Sequence, residues 1–158
     1  MSRPIRPQKQ TLGHDPDNGI WGDCYRTAVA VVLGLSAEEV PHFCNGQWLE
    51  GDPSGITAAR DWLKQFGLGV FTLPYPPETS FEDVMGTMRH CNPDAPVLLT
   101  GMGARGVNHV VVTQGGEIIC DPATGNPTDQ GLLGPAVNEE GEAYWWVEVI
   151  CLQPEAST

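Results

Sequence analysis

The stretch Asn18-Gly19-Ile20-Trp21-Gly22-Asp23-Cys24-Tyr25-Arg26-Thr27-Ala28-Val29-Ala30-Val31-Val32-Leu33-Gly34-Leu35 decides how the rest of the chain is read. Its first six residues form a glycine-punctuated polar loop. From Cys24 onward the apolar residues recur at helical spacing, with Ala28, Val31, Val32 and Leu35 on the side of Cys24. Asp23 is a favourable N-cap, so a helix is expected to start at Cys24. A cysteine there meets the positive end of the helix dipole and backbone N–H groups that have no intrahelical partner. Both favour the thiolate, which is the nucleophile. The same N–H groups can hold the oxyanion of an attacked carbonyl. Most free cysteines are small buried hydrophobes, and Cys44, Cys91, Cys120 and Cys151 are read that way; the loop before Cys24 sets it apart.

Working outward, the chain has 158 residues, 41% of them hydrophobic, which fits one globular domain with a real core. Residues 1–17 are proline-rich and polar and read as an extended arm; residues 18–158 read as a single domain. The formal net charge is −12, with 8 Lys plus Arg against 20 Asp plus Glu. That balance argues against nucleic acid and anionic membranes as partners. Five cysteines without framework spacing read as reduced thiols. The opening MSRPIRPQKQT has no apolar core and does not read as a secretory signal. No stretch is apolar over the length of a membrane span. A soluble, cytoplasmic protein is expected.

Ser36-Ala37-Glu38-Glu39 has the pattern of a capping box for a short helix limited by Pro41. Ser54 to Phe66 reads as a third helix stopped by Gly67. Ser80 caps a fourth, with Glu82 and Asp83 in its first turn. Short strands are expected at Gly69–Leu73 and Pro96–Thr100. Val107–Thr113 and Glu117–Asp121 flank Gly115-Gly116 as a hairpin, and Ala143–Leu152 is a long β-rich run. Helices lead and an antiparallel sheet follows, which is an α+β arrangement.

A nucleophilic cysteine needs a base. Of the four histidines, His14 sits in the arm, and His42 and His90 lie in loop or helix-end contexts. His109 opens a strong strand in Gly106-Val107-Asn108-His109-Val110-Val111-Val112, and Cys120-Asp121-Pro122-Ala123-Thr124-Gly125 follows.

Asn18-Gly19-Ile20-Trp21-Gly22-Asp23-Cys24-Tyr25 resembles, without a gap, the Gln-Gly-x-x-Gly-x-Cys-Trp segment of papain-like cysteine peptidases. The resemblance implies a papain-like fold in which the Cys24 helix packs on the C-terminal sheet, and it gives Asn18 the side-chain oxyanion role. Asn108-His109-Val110-Val111-Val112 and Asp121-Pro122-Ala123-Thr124-Gly125 are similar to the peptidase domains of bacteriocin-processing ABC transporters, in which an Asp orients a strand His. By that resemblance His109 is the base and Asp121 its orienting carboxylate. Gly22-Asp23-Cys24, Leu33-Gly34-Leu35, Glu39-Val40-Pro41-His42-Phe43 and the Gly101–Gly106 stretch also look like a group of small phage and bacterial proteins.

A two-residue Gly115-Gly116 loop would set Val110 across from Asp121 and turn His109 to the opposite face. A three-residue Gln114-Gly115-Gly116 loop, or a bulge, would bring His109 and Asp121 onto one face. The catalytic reading demands one of these.

Gly22, Arg105 and Asn108 flank the thiol and the base and are the candidate substrate-binding residues. The glycines around Arg105 would allow a substrate backbone to approach closely, and Arg105 suits an anionic group on it. Arg26 lies about 200° around the helix from Cys24 and should point away. His42-x-Cys44 and His90-Cys91 lack zinc spacing, Asp15-Pro16-Asp17-Asn18-Gly19 is read as a turn, and no phosphate-loop or dinucleotide pattern occurs. No metal or cofactor is therefore expected. Trp48, Trp62, Trp145 and Trp146 are read as core and rim.

The resulting expectation is a Cys-His-Asp hydrolase or acyltransferase acting on a peptide, isopeptide or other amide bond. The alternative is an inactive papain-like binding module, or a phage-type interaction or inhibitor protein.

Overall fold

The computed structural model describes residues 4–46, 55–123, 125 and 130–153. Among them are three α-helices and a six-stranded antiparallel sheet. The helices are α1 (Cys24–Leu33), α2 (Ile56–Lys64) and α3 (Phe81–Cys91). The strands are β1 (Leu68–Tyr75), β2 (Val97–Gly103), β3 (Asn108–Gln114), β4 (Glu117–Cys120), β5 (Leu132–Val137) and β6 (Ala143–Leu152). The expected helix start at Ser54, together with Trp48 and Thr124, lies outside the described residues.

The sheet runs in the order β1-β6-β5-β2-β3-β4. β6 pairs with β1 along its length, from Leu68↔Leu152 to Tyr75↔Trp145. Its other edge is shared between β2 (Leu98↔Glu148, Thr100↔Trp146) and β5 (Ala136↔Tyr144). Alternation along β2 and β3 assigns the two faces. Leu98, Val110, Val112 and Cys120 pack with α1, and with Ala59 and Trp62 of α2. Val97, Leu99 and Val111 pack with Val84, Met85 and Met88 of α3. The sheet is therefore covered by α1 and α2 on one side and by α3 on the other.

Helix α1 begins at Cys24 as the sequence predicts, but it is buried beyond a single stripe: Tyr25 and every residue from Thr27 to Val31 are buried. The sheet covers one flank, and Ala37–Glu39 covers part of the rest. Leu35 is held there too, because its carbonyl accepts from the Gln8 side chain at 2.6 Å. The segment at Ser36 keeps its capping box but forms only one 3-10 turn, since Pro41 leaves no room for more. Ser80 caps α3 by accepting from the Asp83 N–H at 3.1 Å. Strand β5 is not among the expected strands: Leu132-Leu133-Gly134-Pro135-Ala136-Val137 carries a glycine and a proline that read as strand breakers. Its Pro135 sits opposite Gly101 of β2, next to a register shift at Met102/Gly103.

The β3–β4 hairpin takes the bulged form of the two alternatives expected. Gln114 pairs with Glu117 and Thr113 with Ile118, so the loop is the two-residue Gly115-Gly116. Both glycines have positive φ (59° and 77°), as a type I′ turn requires. One pair further on, the register shifts so that Val112 opposes Cys120. The bulge adds Ile119 to one strand and reverses the side-chain parity beyond it. His109 and Asp121 thereby come to the same side of the ladder.

Candidate active site

Asp23 stands at the N-cap of α1, yet its side chain does not cap the helix. The carboxylate is fully buried (0% exposed) and turns toward the arm. It accepts from the Leu12 N–H and the Thr11 hydroxyl, both at 2.8 Å, and from Arg26 Nε at 2.9 Å. Burial alone would raise its pKa; these three partners bring it below the ordinary value instead. Arg26 is closed on Asp23 and is not among the residues that line the cavity with Cys24. The Thr27 hydroxyl and N–H both donate to the Asp23 carbonyl. These bonds fix the chain direction at the residue before Cys24.

Further back, the Lys9 ammonium donates to the Asp121 carbonyl, and the Gln10 N–H donates to the Pro122 carbonyl at 2.7 Å. The arm thus joins the start of α1 to the end of β4, and the thiol and the carboxylate are positioned by one strap.

His109 is 8% exposed. Its Nε2 lies 2.7 Å from Asp121 Oδ1. Burial by itself would lower the imidazole pKa. The Asp121 hydrogen bond, followed by a hydrogen bond and charge from Cys24, raises it to about 9. With Nε2 committed to Asp121, Nδ1 is the ring nitrogen left for another partner. Burial would likewise raise Asp121, but the bonds from His109, the Gly131 N–H (2.6 Å) and the Ala123 N–H (2.9 Å) carry it down to about 2. Both shifts favour an imidazolium against a carboxylate. The geometry therefore joins the His109 ring to the Asp121 carboxylate, and Cys24 contributes to the raised pKa of the ring.

Cys24 and His109 line a cavity of about 790 Å³ between the α1 N-terminus, α2 and the sheet, a size suited to a small-molecule or peptide side-chain ligand. Gly22 and Arg105 also line it. A Cβ on Gly22 would meet the His14 Cβ at 3.1 Å, so this glycine lets the arm cross close to the thiol. Asn108 borders the cavity, but its side chain is spent on β5: it donates to the Val137 carbonyl at 2.8 Å and accepts from the Val137 N–H at 3.0 Å. It ties two strands together, with one of its two amide protons left unspent.

Asn18 does not join the group. It ends a 3-10 turn over Pro16–Asn18, is exposed, donates to the Asp15 carboxylate at 2.7 Å and does not line the cavity. The local Asx geometry at Asp15 captures the amide before it can reach Cys24. A side-chain amide that lines the cavity together with Cys24 and His109 is that of Gln10, which is 7% exposed. Its Nε2 donates to the Leu12 carbonyl at 2.9 Å, which leaves one of two amide protons unspent. No local pattern marked Gln10, because its position depends on the arm being strapped across β4.

The glycines before His109 also act differently from the expectation. Gly101 and Gly103 belong to β2 and serve packing. A Cβ at Gly101 would sit 2.7 Å from the Gly134 carbonyl oxygen, and one at Gly103 would sit 2.8 Å from the His109 Cβ. Among the described residues no three His, Cys, Asp or Glu side chains converge as a metal site would require, and no helix is long and apolar enough to cross a membrane. No protein-family model, curated protein or solved structure matches this chain.

Proposed function

We propose that this chain is a papain-like cysteine-dependent hydrolase or acyltransferase that cleaves a peptide, isopeptide or other amide bond in a reducing, cytoplasmic setting. The observation that carries the reading is the His109 imidazole, held by the Asp121 carboxylate at 2.7 Å and lining with Cys24 the wall of one ligand-sized cavity.

The chemistry follows from those positions. Cys24 Sγ, held as thiolate by the His109 imidazolium, attacks the carbonyl carbon and forms a C–S bond. The oxyanion is received by the Cys24 backbone N–H at the open end of α1 and by the Gln10 amide, which takes the part first given to Asn18. The Nδ1 proton of His109 passes to the leaving nitrogen as the C–N bond breaks. A thioester and a neutral imidazole remain. Water or another acceptor then attacks, gives its proton to His109, and expels the thiolate. Asp121 stays ionised and fixes the ring orientation throughout.

The test is amine or ammonia release from a panel of peptide, isopeptide and glutamine-type amides, with acid-quenched protein weighed for a thioester on Cys24. Wild type should release amine and carry the acyl adduct, and Cys24→Ala should do neither. The tethered Asn18 amide favours one second reading, a binding module that keeps the fold without turnover. Retention of panel ligands with no adduct and no amine release from wild type would establish that reading instead.

A further inference from the structure

Strand β6 contains an acid where its alternation calls for an apolar residue. Trp145 and Val147 pack toward α3, so Trp146, Glu148 and Ile150 face α1 and α2. Glu148 is 4% exposed and lines the same cavity as Cys24. Its hydrogen-bond partner among the described residues is the Tyr25 hydroxyl, at a long 3.4 Å, and no ion pair closes on it there. Across the ladder its partner is Thr72, whose buried hydroxyl oxygen has no hydrogen-bond partner and which also lines the cavity. An acid and a hydroxyl thus stand side by side, both incompletely paired, where an apolar floor would have been less costly.

We infer that Glu148 and Thr72 form a subsite for a cationic group, the protonated amine or guanidinium of a substrate side chain, beneath the first turn of α1. The walls suit that occupant. Tyr25 and Trp146 line the same space, and aromatic faces attract a desolvated cation. Burial pushes Glu148 up to about 7 against the opposing effects of the Tyr25 hydrogen bond and the Arg60 charge. A buried carboxylate held at such a cost gains from any cation brought beside it. The arginines that line the cavity, Arg60 and Arg105, are both exposed. The rim thus carries both signs, since the exposed Glu139 and Glu140 line it as well, whereas the buried charge of the floor is the Glu148 carboxylate, which favours a ligand with its cationic end inward.

This subsite deepens the hydrolase reading by naming a substrate class, but its test does not depend on turnover. Benzamidine, its neutral isostere benzamide, and benzoate are titrated into the intact protein at neutral pH, with binding read by ligand-observed NMR. Benzamidine should bind at least about ten-fold more tightly than benzamide, slow the alkylation of Cys24, and lose its advantage in Glu148→Gln. Thr72→Val, which keeps the side-chain shape, should weaken benzamidine by a smaller factor. Arg60→Ala, at an exposed position, should strengthen it by removing a competing charge. Equal binding of benzamidine and benzamide, preference for benzoate, no binding of any of the three, or an advantage that survives Glu148→Gln would overturn the inference. Amine release by wild type alongside any of these results would leave the hydrolase reading standing and the subsite refuted.

Discussion

Exchanging Asp121 for Asn keeps the shape of the side chain and removes the charge that faces His109. In the native protein His109 is raised from its ordinary value of 6.5 to about 9 although burial works in the opposite direction. That displacement corresponds to about 3 kcal/mol of preferential interaction with the imidazolium, divided between Asp121 and Cys24. A folded-state pKa above the unfolded value means that this stabilisation is fully present below about pH 6.5 and is lost as pH rises through about 9. Asp121 behaves in the opposite sense: its pKa is depressed to about 2, so its contribution is present above its ordinary 3.8 and is lost as pH falls from there. Histidine-resolved NMR titration reads the first quantity directly, and urea unfolding across the alkaline range reads its effect on stability. In Asp121→Asn the His109 midpoint should fall back toward the ordinary histidine value, and the alkaline loss of stability should shrink. Cys24→Ala should lower the midpoint too. A native His109 that titrates at or below 6.5, or one unmoved by Asp121→Asn, would refute the reasoning.

Gly103→Ala sets a methyl 2.8 Å from the His109 Cβ; it should cost about 1–3 kcal/mol of stability and bring Cys24 alkylation down toward the rate of His109→Ala. Asp23→Ala strands the Thr11, Leu12 and Arg26 donors and should cost about 2–3 kcal/mol in urea unfolding, with earlier proteolytic clipping of the arm. Gln10→Ala should lower amide turnover about 10²–10³-fold while leaving alkylation by iodoacetamide nearly unchanged, because alkylation develops no oxyanion. Asn18→Ala, at an exposed position outside the cavity, should leave turnover at the native level.

The start of α1, the His109 strand, the β6 run and the α+β class were legible because each rests on local pattern: a cap residue, a 3.6-residue period, a β-branched run. The contact between His109 and Asp121 was legible only as a condition on the hairpin. The sequence shows Gly115-Gly116 but carries no mark of the bulge near Ile119 that brings the two side chains to one side. Strand β5 was hidden by Gly134 and Pro135, which the sheet tolerates where β2 changes register. Asn18 and Gln10 exchanged places for a tertiary reason. Spacing to Cys24 favoured Asn18, whereas Asp15 captures that amide and the strap across β4 delivers Gln10. Glu148 did leave a trace, as an acid at an inward position of an otherwise apolar alternating strand, but its significance depended on knowing which face α1 covers.

The most direct measurement is the alkylation rate of each cysteine by iodoacetamide at neutral pH, resolved by mass spectrometry in the native protein and in His109→Ala. Cys91 and Cys151 are exposed, Cys24 and Cys44 are half-buried and Cys120 is buried, so accessibility alone would rank Cys91 and Cys151 first. A thiolate held by His109 puts Cys24 first and loses that lead in His109→Ala. Cys24 labelling no faster than Cys91 and Cys151, or just as fast without the imidazole, would contradict the account.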